Sequence, residues 1–334
     1  MSQYITRFIR KDEYDKWDRF VSGLPSASIF DETKWLTTVS DAVGGSLRIA
    51  AVFNENSELS GGVTLNVSRR FGMPVSARIP LSPTNSCLIS PSLSNFPAKV
   101  TSHVLEVTES ISHFLRSNFD FVVVTNNYHI ADIRSFMWQG WRTSVQYTYH
   151  IDLESVEIAK VTPARRNHIQ KAAKAGIVIK EIDDPNNAYE VLEKTFQKKG
   201  VLPPITRPQF AKIYAGLQND ITLLFAVDGK TEKPIAVSVI LKGFNRSIAY
   251  SLMAGFDSDY KRTDASSFVK WGEIEYLKTE GFKKLDLVGA EEKSVAAFKA
   301  DFSGTLIPYY QVFNASTRYR ILNRLAMMNP FWFW

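Results

Sequence analysis

One pattern of elements occurs twice along this chain, and its later elements are offset by about 164 residues, as Gly140 and Gly304 mark. In the first half, residues 47–53 form a β-branched and apolar run, 54–60 are turn-like, and 61–67 alternate as a return strand. In the second half, 221–227, 228–233 and 234–241 repeat that order. Each set predicts a β-hairpin. Downstream, 100–118 predicts an amphipathic helix running into the strand 119–124, and 266–280 predicts a helix running through Gly281 into 282–288. Asp264 or Ser266 is the candidate N-cap of the later helix, and Gly281 its stop. Short helices ending in glycine follow at 132–140 and 294–304, then Tyr-rich closing strands at 141–153 and 305–315. Solenoid repeats run at roughly 20–50 residues, so a period this long signals duplicated domains.

Each copy reads hairpin, helix, strand, helix, strand, which predicts an α/β (α+β) fold with helices flanking mixed sheets. A chain of 334 residues can bury two such cores. The junction is expected in 153–163, giving a domain over 1–155 and another over 156–334. The second is expected to carry the active site and a C-terminal tail that packs back.

Composition then excludes several classes. Hydrophobic residues at 45% and charged residues at 22% are ordinary globular values and argue against disorder. The net charge of +6 is spread along the chain, so it favours anionic partners without forming a nucleic-acid arm. Cys87 is the only cysteine, which removes an intrachain disulfide and fits a reducing, cytoplasmic setting. Residues 1–10 are polar, and no apolar run approaches the ~20 residues of a membrane span. The final Phe331-Trp332-Phe333-Trp334 reads as a tail tucked onto the fold or as an interfacial foot, since Trp favours the headgroup region, with the protein peripheral at the inner membrane face. Five scattered histidines predict no metal site. Cys87 has no nearby histidine to activate it, and no Gly-rich nucleotide motif is present.

The element order, twice over, resembles tandem GNAT (N-acetyltransferase-type) domains, and the pairing resembles the Fem family of peptidoglycan aminoacyltransferases and relatives with BioF2-like domains. Four segments carry the likeness. Residues 28–36 match an early Phe…Trp helix start. Residues 132–153, with Arg134, Phe136, Trp138, Gly140, Trp141, Tyr147 and Tyr149, match the end of the first domain. Residues 165–179 match a basic helix, then glycine, then strand. Phe298, Lys299, Phe302 and Gly304 match a late Phe-Lys element. The likeness spans about 28–313. The inserted coiled-coil arm of some Fem enzymes is absent, Ser303 interrupts the Phe-Gly pair, and Arg207 is followed by Phe210 where the family has tyrosine.

Acyl transfer to an amine needs aligned substrates, loss of an amine proton and a stabilised oxyanion. The resemblance implies that Lys299 lies near the transferred carbonyl or a substrate phosphate; the matching position in the first copy is Ser135. Phe298 would wall the site. Tyr250 stands on a strand before its expected mouth, and Arg207 follows a Pro-rich turn where it could grip a phosphate or carboxylate. Tyr309 and Tyr310 point to opposite faces of the closing strand, so one of them, Tyr310 being the choice here, faces the cleft. Asp286 is the candidate base, with Glu291 and Glu292 beyond it.

The donor is the open question. GNAT enzymes that use acyl-CoA present a Gly-rich loop before the long helix, where backbone N–H groups meet the pyrophosphate. Here residues 257–267 hold no glycine, their acids would repel a pyrophosphate, and Lys261 and Arg262 offset this only in part. No permanently bound cofactor is expected; the co-substrate is aminoacyl-tRNA or acyl-CoA. With tRNA as donor, Arg165, Arg166, Lys171 and Lys174 would contact its backbone. Three readings follow: an aminoacyl or acyl transferase acting on an amine of a sugar or peptide precursor, an acyl-CoA-dependent N-acetyltransferase for a small amine or amino sugar, and a catalytically silent binding protein.

Overall fold

The structure, a computed structural model, describes residues 4–198 and 200–325, without the side chains of Asn245 and Lys261. The aromatic tail at 331–334 therefore lies outside the described residues. The chain divides into two compact units, residues 1–146 with 308–334, and residues 147–307.

Unit 1 runs β1 (Ile5–Phe8), α1 (Tyr14–Ser22), α2 (Thr33–Val43), β2 (Ser46–Phe53), β3 (Leu59–Arg70), β4 (Met73–Ala77), β5 (Leu88–Ile89), α3 (Pro97–Asn118), β6 (Phe121–Thr125), α4 (Arg134–Trp138) and the start of β7 (Arg142–Asp152). The end of β13 (Thr305–Ala315) and α10 (Thr317–Leu325) complete it. Its sheet order is β1-β2-β3-β4-β6-β13, antiparallel except between β4 and β6, with β5 added on β3. Val107, Ile111 and Leu115 of α3 bury one helical stripe against Val63, Leu65, Val122 and Val124 of the sheet. Each fully buried aliphatic of this size stabilises by about 1.5–3 kcal/mol.

Unit 2 takes the end of β7, then α5 (Pro163–Lys174), β8 (Ile177–Glu181), α6 (Pro185–Lys198), α7 (Arg207–Leu217), β9 (Ile221–Asp228), β10 (Pro234–Lys242), β11 (Ile248–Phe256), α8 (Ala265–Thr279), β12 (Lys284–Asp286), α9 (Lys293–Ala300) and the start of β13. The sheet order is β8-β9-β10-β11-β12-β7, and only β11–β12 is parallel. Strand for strand this is the topology of unit 1. On one face Ile274 and Leu277 of α8 pack on Leu224, Ile240, Ala249 and Leu285. On the other, α6 lies so close to β11 that a Cβ at Gly255 would stand 2.8 Å from the Leu192 Cα. Only glycine permits that approach.

Two expectations are corrected. The closing strands are exchanged: β7, from the first half of the sequence, pairs with β12 of unit 2, and β13 pairs with β6 of unit 1. The units consequently part within those strands, at 146/147 and 307/308, whereas the sequence pattern placed the junction at 155/156. Both strands are Tyr-rich and alternate alike, so periodicity gives no means of telling which sheet each joins. Asp264, moreover, makes no side-chain capping bond to α8; its backbone is left-handed and its carboxylate accepts from Lys171 at 2.9 Å. Gly281, at φ +78°, ends the helix as its sequence suggests.

Candidate active site in unit 2

Parallel strands β11 and β12 share a ladder only over residues 248–250 and 284–286. Beyond it they part company. From Ser251 to Phe256, β11 stays paired with β10, while Leu287 donates its N–H to the Tyr149 carbonyl on β7 at 2.9 Å. The backbone leaves an unpaired notch between β11 and the end of β12, and polar side chains gather there.

Asp286 closes the ladder. Its Oδ1 accepts the Thr148 hydroxyl at 2.5 Å and the Val288 N–H at 2.8 Å, and His150 Nε2 lies 3.4 Å from Oδ2. Val288 and Gly289 both have positive φ, +52° and +75°, so the chain turns sharply. That turn presents two carbonyls inward. Lys299 of α9 donates to both, at 2.7 Å from Val288 O and 2.5 Å from Gly289 O. An ammonium has three N–H donors, so one remains for another acceptor. Burial, followed by the nearby Lys270 charge, pushes the Lys299 pKa down to about 8, against the pull of Asp286, Glu291 and Glu273.

Behind this turn α8 carries Lys270 and Glu273 into the protein. Glu273 is fully buried and Lys270 nearly so. Glu273 Oε2 accepts from Ser238 at 2.7 Å, from Ser251 at 3.3 Å and from Lys270, which also donates to Ser251. Ser251 is the first residue of β11 beyond the ladder. The sequence reading passed over this pair, although its signal was present: Lys270 and Glu273 fall at helical spacing on the stripe of Ile274 and Leu277, where charge is expensive. It also set aside His150 as one of five scattered histidines.

The remaining sequence candidates separate. Tyr250, Asp286 and His150 are register partners across β11, β12 and β7 and thus share one face; Tyr250 is buried in that row. Phe298 is half-buried, with the Arg165 guanidinium 4.5 Å above its ring. Arg165 in turn holds Asp301 at 2.8 Å and Ser267 at 2.9 Å, so it anchors α5 inside unit 2 and is not held out for a nucleic acid. Arg207 pairs with Glu193 at 3.3 Å and stacks over Tyr189, joining α7 to α6; none of these partners belongs to the notch. Arg262 is exposed in the turn before α8. Two of the three acids of that turn are neutralised, Asp257 by Lys194 at 2.9 Å and Asp264 by Lys171, while Asp259 is exposed, so the expected repulsion of a pyrophosphate is reduced. Glu291 and Glu292 are exposed; Glu291 accepts the Ala290 N–H at 3.0 Å and Glu292 the Ser294 hydroxyl at 2.5 Å.

Tyr310 belongs to unit 1, because β13 crosses over: its carbonyl accepts the Asn126 N–H at 2.8 Å, and it lines a cavity of about 670 Å³ with Ile133, Met137 and Val145. A second cavity of about 280 Å³ lies in unit 2 beside Tyr214 and Gln218. Lys299 lines neither of these two cavities; its hydrogen-bond geometry marks the notch. In unit 1 the position matching Lys299, Ser135, donates to the Thr108 hydroxyl at 2.6 Å, and Ser112 donates to Gln139 at 2.8 Å. Burial pushes the Cys87 thiol up to about 12, which leaves it unreactive. Among the described residues no three His, Cys, Asp or Glu gather as a metal site, and no helix is long and apolar enough to cross a membrane.

Residues 164–300, nearly all of unit 2, match the acetyltransferase (GNAT) domain family. No curated protein sequence matches the chain significantly. Among solved structures, FemX is similar over 96% of this chain and 99% of its own, with a TM-score of 0.65 at 13% identity. The C-terminal domain of a putative lysylphosphatidylglycerol synthetase from Agrobacterium fabrum covers 94% and 96%, with a TM-score of 0.60 at 10% identity. A tandem GNAT protein from the clavulanic acid biosynthesis pathway covers 93% and 97%, with a TM-score of 0.56 at 11% identity. The chain thus has the tandem GNAT fold that it shares with FemX, and residues 164–300 of its second unit match the GNAT domain family.

Proposed function

We propose that the protein is an amide-forming transferase that moves an acyl or aminoacyl group onto an amine of a cell-envelope or polysaccharide precursor, using the notch of unit 2. One observation carries the reading: a half-buried lysine, tied through two N–H bonds to the Val288 and Gly289 carbonyls, keeps a third donor at the point where β11 and β12 separate. The acceptor nitrogen attacks the donor carbonyl, the C–N bond forms, and the ester or thioester bond breaks. The departing oxygen or sulfur takes the proton that the amine loses. Lys299 stabilises the oxyanion formed between these events, a contribution of about 3–4 kcal/mol. Asp286 serves by fixing the 286–289 turn, through the two bonds its Oδ1 accepts from Thr148 and Val288. The resemblance to Fem enzymes and the fold shared with a lysylphosphatidylglycerol synthetase favour an aminoacyl donor and an envelope acceptor, made in the cytoplasm or at its membrane face.

A second reading, an acyl-CoA-dependent N-acetyltransferase acting on a small amine or amino sugar, is favoured by the pairing of Asp257 and Asp264 before α8, which lessens their opposition to a pyrophosphate. Purified chain offered radiolabelled acyl-CoA and aminoacyl-tRNA, with amino-sugar and peptide acceptors, distinguishes the two by which donor is consumed. In either case the oxyanion role requires a charged lysine, so kcat falls as pH rises through about 8. A rate that climbs through that pH would reassign Lys299 as a base, and transfer from neither donor removes the proposal.

A further inference from the structure

The surface of unit 1 carries a second feature, unrelated to acyl transfer. Helix α10 buries Tyr319 and Asn323 and turns the opposite side outward, with Ile321, Leu322 and Leu325 exposed by 55%, 36% and 73%. At about 100° per residue those three aliphatics fall within an arc of roughly 100°. Arg318, Arg320 and Arg324 share the helix, and it has no acidic residue. The tip of the β3–β4 hairpin adjoins it through one side chain: the Tyr319 hydroxyl lies 3.4 Å from Arg70 Nη1, and its ring lies 6.3 Å from that of Phe71. Phe71 is itself 42% exposed and held at φ +54°, and Arg69 bonds the Gly72 carbonyl at 2.8 Å. Two elements distant in sequence therefore set exposed apolar side chains among five arginines. Asp120 pairs with Arg318 at 2.8 Å.

We propose that α10 and the β3–β4 tip form a docking surface for an anionic lipid bilayer. Exposed aliphatic and phenyl side chains reach the acyl boundary while guanidinium groups meet phosphate headgroups, the division of labour of an interfacial amphipathic helix. Three of the four exposed apolar side chains, all on α10, are aliphatic and offer no rings on which bases could stack, which favours acyl chains over a nucleic-acid platform. The sequence that follows, with two Met, two Phe and two Trp in residues 326–334, has the composition of an interfacial segment.

Co-sedimentation of the full chain with phosphatidylcholine vesicles, with and without phosphatidylglycerol, tests the proposal. The expected result is binding to the anionic vesicles alone, weakening with added salt. The triple variant Ile321→Ser, Leu322→Ser, Leu325→Ser should bind about tenfold more weakly. Arg320→Gln with Arg324→Gln should weaken binding and flatten its salt dependence. All substituted side chains are exposed, and an unchanged melting curve confirms folded variants. Wild-type protein that ignores anionic vesicles overturns the proposal, as does a triple variant that sediments like wild type. A patch that binds RNA instead, or a concentration-dependent dimer that the triple variant abolishes, would assign the surface to another partner and equally overturn it.

Discussion

The two units share one topology but differ in what they bury between sheet and long helix. Unit 1 meets the requirement for buried hydrogen bonds with neutral groups, Ser135 on Thr108 and Ser112 on Gln139. Unit 2 buries charge in the same place: Lys270 with Glu273 on α8, Asp286 beside His150, and Lys299 on the turn after β12. A fold needs no buried ions to be stable, and neutral or apolar replacements are often as good or better. Between its sheet and its long helix, unit 1 does without them. The charges of unit 2 fit the proposed chemistry, and unit 1 serves as the internal control for what the same layer of the scaffold requires.

That contrast can be broken by mutation. The largest effect on stability is expected from Glu273→Ala, which strands Lys270 as an uncompensated buried cation and should cost about 3–5 kcal/mol in urea unfolding of unit 2. Lys270→Met combined with Glu273→Leu should recover most of that loss, and failure to do so would mean that the serines, not the charges, matter. A smaller loss, about 1–3 kcal/mol, is expected for Asp286→Asn, which weakens the bonds to Thr148 and Val288. It should also loosen Lys299, read as faster acetylation of that amine by acetic anhydride in peptide mass analysis. Ser135→Ala in unit 1 should cost about 1 kcal/mol and leave transfer untouched.

Lys299 also sharpens the contrast through pH. Its charged form is disfavoured in the folded protein, whose lysine titrates at about 8 against an ordinary 10.5. The penalty is full below about pH 8 and is relieved as pH rises through that value toward 10.5, because the unfolded chain then holds the extra proton. Wild type should gain stability relative to Lys299→Met across that window in paired melts. Parallel curves would show the lysine to be unperturbed.

Much of this arrangement could be read from residues alone. The hairpins, the long helices and their glycine stops follow from periodicity and turn chemistry, whereas Lys299 came from the resemblance of residues 298–304 to the late Phe-Lys element of the Fem family. Strand exchange was not legible, since β7 and β13 carry interchangeable patterns and pairing is decided by contacts far apart in sequence. For the same reason Tyr310 was assigned to the wrong unit. Thr148 and His150 joined the site only because β7 crossed over. Arg207 and Arg165 looked like grips for a ligand, and both proved to have partners within unit 2, which a list of charged residues does not disclose. The buried Lys270–Glu273 pair was readable in principle as two charges on an apolar stripe.

The central claim is that one lysine in one unit carries the transfer step. The single-turnover rate of acyl transfer by Lys299→Met, beside Ser135→Ala as the equivalent change in unit 1, tests it most directly. A loss of about 10²–10³-fold for the first and none for the second is predicted. A wild-type rate for a folded Lys299→Met protein would contradict the account.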